Sequence, residues 1–170
     1  MRFEFNGQQC EYDYATHFIK SRKDPLVSLN DEYEFEASEN TFGPAEGKDG
    51  QLETSVILHK SKEDVPWLEG VRIFNPNNAS NTLGKTPAYA ATVSCEEINR
   101  SGLSIEWEPT KTLPNHGNIR SWNIERLSEQ LSEIAGSTEI TTNPTRGKEF
   151  QNMIEMRKQH DIACKKKQQR

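Results

Sequence analysis

No stretch of this sequence approaches the roughly 18 consecutive apolar residues that a membrane-spanning helix needs. The opening MRFEFNGQQC holds no apolar signal core either, and the two absences together predict a soluble protein of the cytoplasm. Cysteine is scarce. Cys10, Cys95 and Cys164 are an odd number, widely spaced and without a Cys-x-x-Cys pair, which argues against a disulfide framework and a zinc knuckle and fits reduced thiols. The sequence contains no GxxxxGK[ST], GxGxxG or GxSxG, so the common phosphate cradles and the usual hydrolase elbow are missing and no cofactor is implied. His17, His59 and His160 are scattered, and no HxxxH or ExxH spacing sets two ligands on one helical face; no metal site is expected. A fixed-period repeat is also lacking, which removes solenoids and propellers.

Apolar residues make up only 32% of the 170, so polar surface segments must take up much of a chain whose length suits one domain. Three Trp, seven Phe and four Tyr sit in alternating or helical patterns, unlike a disordered chain. The net charge of -5 is unevenly placed. Residues 146 to 170 carry eight basic groups against three acidic ones, and the first 145 residues carry 13 basic groups against 23 acidic ones, a net of -10. An acidic body with a basic tail can bind within itself, bind an anionic partner, or simply stay in solution.

The local patterns predict an α+β fold: a mostly antiparallel sheet with a short central helix and two C-terminal helices. Phe3 and Phe5 alternate into Asn6-Gly7, residues that tolerate positive φ, and Cys10, Tyr12 and Tyr14 alternate beyond it, as a β-hairpin requires. Tyr33, Phe35 and Ala37 alternate with Glu32, Glu34 and Glu36, which suits a strand with one acidic face in water. The turn-rich segment Thr41 to Gly50 leads into the β-branched run Thr54 to Leu58. Pro66 and Gly70 confine any helical turn around Val65, Trp67 and Leu68, with a strand from Val71 to Phe74. Asn75 to Lys85 reads as the longest loop. Ala88 to Val93 is strand-like, and Ser94 with Glu97 has capping-box spacing for a short helix that Gly102 stops. Leu103, Ile105 and Trp107 then alternate up to Pro109, making a strand-helix-strand unit too short for a standard parallel crossover. Ile119 and Trp122 mark another extended piece. Asn123 can cap a helix carrying Ile124, Leu127, Leu131 and Ile134 on one side. The predicted organisation is an acidic core domain over 1–136, a polar linker over 137–147 and a basic C-terminal helix and tail over 148–170.

The densest polar constellation runs from Pro114 to Arg120. There His116, Asn118 and Arg120 are the candidate catalytic residues, with His116 as general base, and Asn115 is a candidate binding residue. The alternative is a loop histidine bonded to a turn. The Asn115-His116 pair resembles the strand tip of HNH nucleases, but the following helix has no second histidine at metal spacing, which rules that assignment out. Cys95, in the first turn of a capped helix, would feel a positive dipole and could be activated near His116, or could be a small core residue. Glu106 is a further carboxylate candidate. Lys165, Lys166 and Lys167 could touch nucleic acid, weakly and with strong salt dependence, since no aromatics interleave them.

From Asp49 to Trp122 the order DGQLETSV, AYAATVSCEEINRSGLSIEWEP and LPNHGNI resembles small bacterial proteins of uncharacterised function. These carry a DGxLSV-like strand, an apolar strand into a short helix ending in Gly-Leu, and a closing P-x-x-HAxI, with Gly117 standing here for the alanine. The resemblance implies a bacterial or phage intracellular protein and draws attention to His116, without supplying an activity. No catalytic set is complete, so the leading expectation is a non-enzymatic protein-binding or accessory module. Its partner would be another protein or a second copy, and its setting a bacterial or phage conflict or regulatory system. The alternative is a small hydrolase or nuclease-like enzyme centred on His116.

Overall fold

The computed structural model describes residues 1–21, 26–46, 51–74 and 86–170. The expected loop from Asn75 to Lys85 lies outside them. The fold is α+β, with a mostly antiparallel sheet. Strands β1 (Arg2–Phe5) and β2 (Gln8–Glu11) form the expected hairpin, and its turn places Asn6 at φ 48° and Gly7 at φ 78°. Both central residues at positive φ match the right-handed twist of the flanking strands, which is why Asn-Gly serves here. Beyond Glu11 the strand is interrupted at Tyr12 and Asp13, and β3 (Tyr14–Ile19) begins a new strand in the main sheet.

The remaining strands are β4 (Val27–Leu29), β5 (Phe35–Ala37), β6 (Ala45–Glu46), β7 (Leu52–His59), β8 (Tyr89–Ser94), β9 (Ser104–Trp107), β10 (His116–Ser121) and β11 (Glu139–Thr142). Five of them join β3 in the order β11-β8-β3-β7-β10-β9, every neighbour antiparallel, and β6 adds a short pairing to β7. The acidic strand expected at Tyr33 to Ala37 is shorter and pairs only with β4, in a separate hairpin. Tyr33 stands in its turn at φ 63°, a strained conformation for a bulky residue. The side chain of Asn30 accepts from the backbone N–H of Glu32 and Glu34, both at 2.9 Å, and closes that turn.

Among the described residues four helices complete the fold: α1 (Trp67–Phe74), α2 (Cys95–Arg100), α3 (Leu127–Gly136) and α4 (Gly147–Gln168). Helix α1 replaces the strand expected at Val71 to Phe74. Trp67, Gly70, Val71 and Phe74 recur at helical spacing, and Gly70 does not stop the helix but lets it approach the sheet. A Cβ there would come 2.7 Å from the Phe18 ring. Helix α2 starts as its capping signal predicts, the Ser94 side chain accepting from Glu97 N at 3.1 Å. Gly102, at φ 86°, ends it. The unit β8-α2-β9 is not a pair of neighbours, because three strands separate β8 from β9. Asn123 caps a 3-10 turn, Ile124–Arg126, before α3 begins, so Leu131 and Ile134 are buried while Ile124 turns outward.

Residues 137–147, expected as a polar linker, contribute β11 and a 3-10 turn at Pro144–Arg146. Thr141, Thr142 and Ile140 have the β-branched shape an edge strand favours, which their polarity masks in the sequence. Among the described residues no helix is long and apolar enough to cross a membrane.

Alternation in the strands divides the sheet into two faces. One sends Ala15, Val56, Leu58, Ala91, Val93, Ile105, Trp107 and Ile119 into the main core, closed by Ile98 of α2, Leu131 and Ile134 of α3 and Phe150 of α4. Full burial of each such aliphatic side chain stabilises the fold by about 1.5–3 kcal/mol. Among the described residues the opposite face is covered on only one side, where Phe18, Ile57, Ala90 and Leu113 pack beneath Trp67, Ile73 and Phe74. The other half of that face, on β7, β10 and β9, is polar, and no described helix lies over it.

Candidate functional site

Period-two alternation on β10 puts His116, Asn118 and Arg120 on the open face, with Trp122 next in the same register just beyond the strand. The pairing of β10 with β7 sets Asn118 opposite Ser55 and Arg120 opposite Glu53, and the pairing with β9 sets Asn118 opposite Glu106. The result is a cleft of about 580 Å³ lined by residues of β7, β10 and the segment from Glu108 to Thr110, with Phe5 at its side.

The geometry selects the tautomer of the neutral His116 ring. Its Nδ1 lies 3.0 Å from the Glu108 backbone oxygen, an acceptor only, so Nδ1 carries the proton. Nε2, 2.7 Å from Ser55 Oγ, therefore accepts from the serine hydroxyl. Next along the strand, Asn118 is only 5% exposed and donates through Nδ2 to Glu108 Oε2 at 2.7 Å.

Arg120, 16% exposed, sits among three carboxylates. Glu106 Oε2 lies at 2.5 Å, Glu108 Oε1 at 2.6 Å and Glu53 Oε2 at 3.2 Å. Burial works against its charge, but Glu108, Glu106 and Glu53 outweigh that cost and hold the guanidinium above its ordinary pKa. Three carboxylates against one guanidinium leave the floor with two excess negative charges. Just beyond β10, Trp122 is 64% exposed, and its indole N–H donates to Ser104 Oγ at 3.1 Å.

Not every sequence candidate arrives here. Asn115 turns away from the cleft: its Nδ2 donates to the Leu58 carbonyl at 3.1 Å, and its Oδ1 is buried without a hydrogen bond. Cys95 is fully buried in the main core with Ile98. Burial pushes its thiol pKa up to about 12 despite the nearby N-terminal charge, which removes it as an activated nucleophile. Lys165, Lys166 and Lys167 lie exposed in the last turn of α4, which packs through Phe150 and, farther along, through Arg157 and Asp161 against the β4-β5 hairpin.

Ser55, Glu53, Glu108, Trp122 and Phe5 were not foreseen as parts of one site. The alternation of Glu53 and Ser55 was visible, but only the β7-β10 register places those residues opposite Arg120 and Asn118. A second imidazole relay was equally hidden. His59 Nδ1 donates to Ser61 O at 2.8 Å, so its Nε2 accepts from Thr16 Oγ1 at 2.7 Å, and Thr16 in turn accepts from Thr92 Oγ1 at 2.8 Å. Burial lowers the His59 pKa, with the Ser61 carbonyl opposing part of that effect.

The comparisons with known proteins return nothing: the chain matches no protein-family model, no curated protein and no solved structure.

Proposed function

We propose that this chain is a non-enzymatic binding module whose open sheet face receives a basic side chain of a protein partner. The observation that carries the reading is the joining of two features that a free surface rarely keeps together. A floor with two excess carboxylate charges around Arg120 runs along β10 toward the exposed Trp122 two residues on, whose indole N–H donates to Ser104 Oγ of β9. A lysine or arginine of the partner would answer the charge, and its aliphatic stem would lie on the indole face, a pairing common at energetic centres of interfaces. The three unpaired cysteines suit a reducing cytoplasm, and the resemblance across Asp49 to Trp122 favours a bacterial or phage source.

Titration with an oligoarginine peptide, beside its uncharged citrulline counterpart, tests this reading. The arginine peptide is expected to shift the Trp122 emission, with Trp122→Phe identifying that signal, and Glu106→Gln is expected to weaken binding. Equal binding of the citrulline peptide, or indifference to both substitutions, refutes it.

One observation favours a second reading, a hydrolase centred on His116. Ser55 Oγ donates to an imidazole whose tautomer is already that of a general base. Against it, the nearest donors for an oxyanion, Asn118 and Arg120, are committed to carboxylates. Labelling of Ser55 by a fluorophosphonate, lost in His116→Ala, would favour the enzyme; absence of labelling favours the binding module.

A further inference from the structure

The main sheet ends on β11, and two hydrogen bonds fix the direction of its backbone groups. Cys95 N donates to Asp13 O at 2.8 Å, and Asn143 N donates to Ala88 O at 2.9 Å. Each bond joins residues directly opposite one another, one step beyond the pairs Tyr14 with Ser94 and Thr142 with Tyr89. In an antiparallel ladder such hydrogen-bonded pairs recur at every second position. Tyr89, Ala91 and Val93 therefore turn their backbone groups toward β3, while Ala90 and Thr92 turn theirs toward Thr141 and Glu139. Ile140 and Thr142 are left with N–H and C=O directed away from the sheet, and among the described residues no backbone group meets them. Natural edges are blunted by proline, lysine or a bulge. Ile140, Thr141 and Thr142 include none of these and keep an unbroken register, and their β-branched side chains favour the extended form.

Beside this edge runs a groove of about 680 Å³, with β11 along one wall and Glu34, Phe35 and Glu36 of the β4-β5 hairpin along the other. Its charge selects the occupant. Glu34 and Glu36 are exposed, and the one cation among its lining residues, Lys62, is already held by Glu139. Three carboxylates against one ammonium leave two excess negative charges. A second copy would bring the same excess to the same edge, so pairing of β11 with itself sets like charges together. We propose that the free edge of β11 receives an extended segment of a partner protein, with basic residues at alternate positions, by strand addition. Backbone pairing with Ile140 and Thr142 holds the added strand. Alternation then puts its lysines or arginines on one face, toward Glu34 and Glu36. Strands β8 and β3 separate this edge from β7 and the cleft, and the site does not rest on the reading of that cleft.

The test titrates the isotopically labelled full chain with a blocked peptide that alternates lysine and valine, and reads amide hydrogen exchange residue by residue by NMR. Two control peptides accompany it, one N-methylated at its interior amides and one with glutamate in place of lysine. The lysine peptide is expected to slow exchange at Ile140 and Thr142 about tenfold or more, and both controls are expected to leave those amides unchanged. Glu34→Lys combined with Glu36→Lys, at exposed positions and with a melting temperature matching the parent, is expected to raise Kd for the lysine peptide about tenfold. The proposal is overturned if Ile140 and Thr142 stay unprotected at saturating peptide, whether nothing binds or the peptide lies in the cleft beside Trp122. It is equally overturned if the N-methylated peptide binds as well as its parent, or if the double variant binds unchanged. A dimer of the chain alone by light scattering, with the same two amides protected, would give the edge to a second copy and overturn it too.

Discussion

Replacing Thr16 with valine removes one hydroxyl from the middle of the chain Thr92 to Thr16 to His59 to Ser61 and changes almost nothing else. Thr16 is fully buried, and valine has nearly its shape, so no cavity term enters. Two hydrogen bonds are lost, at 2.7 and 2.8 Å, and His59 Nε2 is left buried without a donor. At roughly 1 kcal/mol per bond the loss comes to about 2 kcal/mol, and more if the stranded ring nitrogen bears its full desolvation cost. For a domain of this size that is a fall in Tm of roughly 4–8 °C. Urea unfolding followed by tryptophan fluorescence at about pH 7.5 reads it directly. The relay also predicts a pH dependence. Burial holds folded His59 below its ordinary pKa of 6.5, so below about pH 6.5 the unfolded chain binds the proton first, and native stability falls as pH decreases. His59→Asn should flatten that part of the profile. An unchanged midpoint in Thr16→Val, or an identical pH profile in His59→Asn, would refute the relay.

Gly117→Ala should destabilise by about 1–3 kcal/mol, since its Cβ would meet the Glu106 carbonyl oxygen at 2.8 Å and Leu58 at 3.0 Å, outweighing the entropic gain of alanine; chemical denaturation measures it. Native protein treated with a disulfide reagent near pH 8 should react at exposed Cys164, whereas Cys95, with its pKa near 12 and no exposure, should react only on unfolding; mass mapping of the labelled peptides decides. His116→Ala should lower stability by about 1–3 kcal/mol, because the ring ties Ser55 of β7 to the Glu108 carbonyl, and a melting temperature equal to the parent would count against that structural role.

Residues that signal by local chemistry were read correctly from the sequence: Asn6-Gly7 as the first turn, Ser94 as a helix cap and Gly102 as its stop. Signals that depend on distant partners were not. Gly70 looked like a helix stop because its packing against Phe18 is decided 52 residues away. Glu139 to Thr142 looked like linker because an edge strand with one neighbour needs little apolar character. The acidic floor of the cleft was hidden for the same reason, since Glu53 meets Arg120 only through the register of β7 on β10. Trp122 was seen as part of an extended piece, but nothing local says that it stays uncovered.

The strand order also constrains how the chain can assemble. The central strand β3 pairs with β7 and β8, so Thr16 must wait for partners 43 and 76 residues later in the chain. During synthesis this apolar strand thus stays unpaired until β7 has emerged, and keeps one bare edge until β8 follows. Closing loops of that size before any contact rewards them places folding toward the slow, millisecond-to-second end of the range for small domains. The early hairpin of β1 and β2 needs no such wait, and with its Asn-Gly turn it can form within about 1–10 μs, well before the sheet it will cover exists.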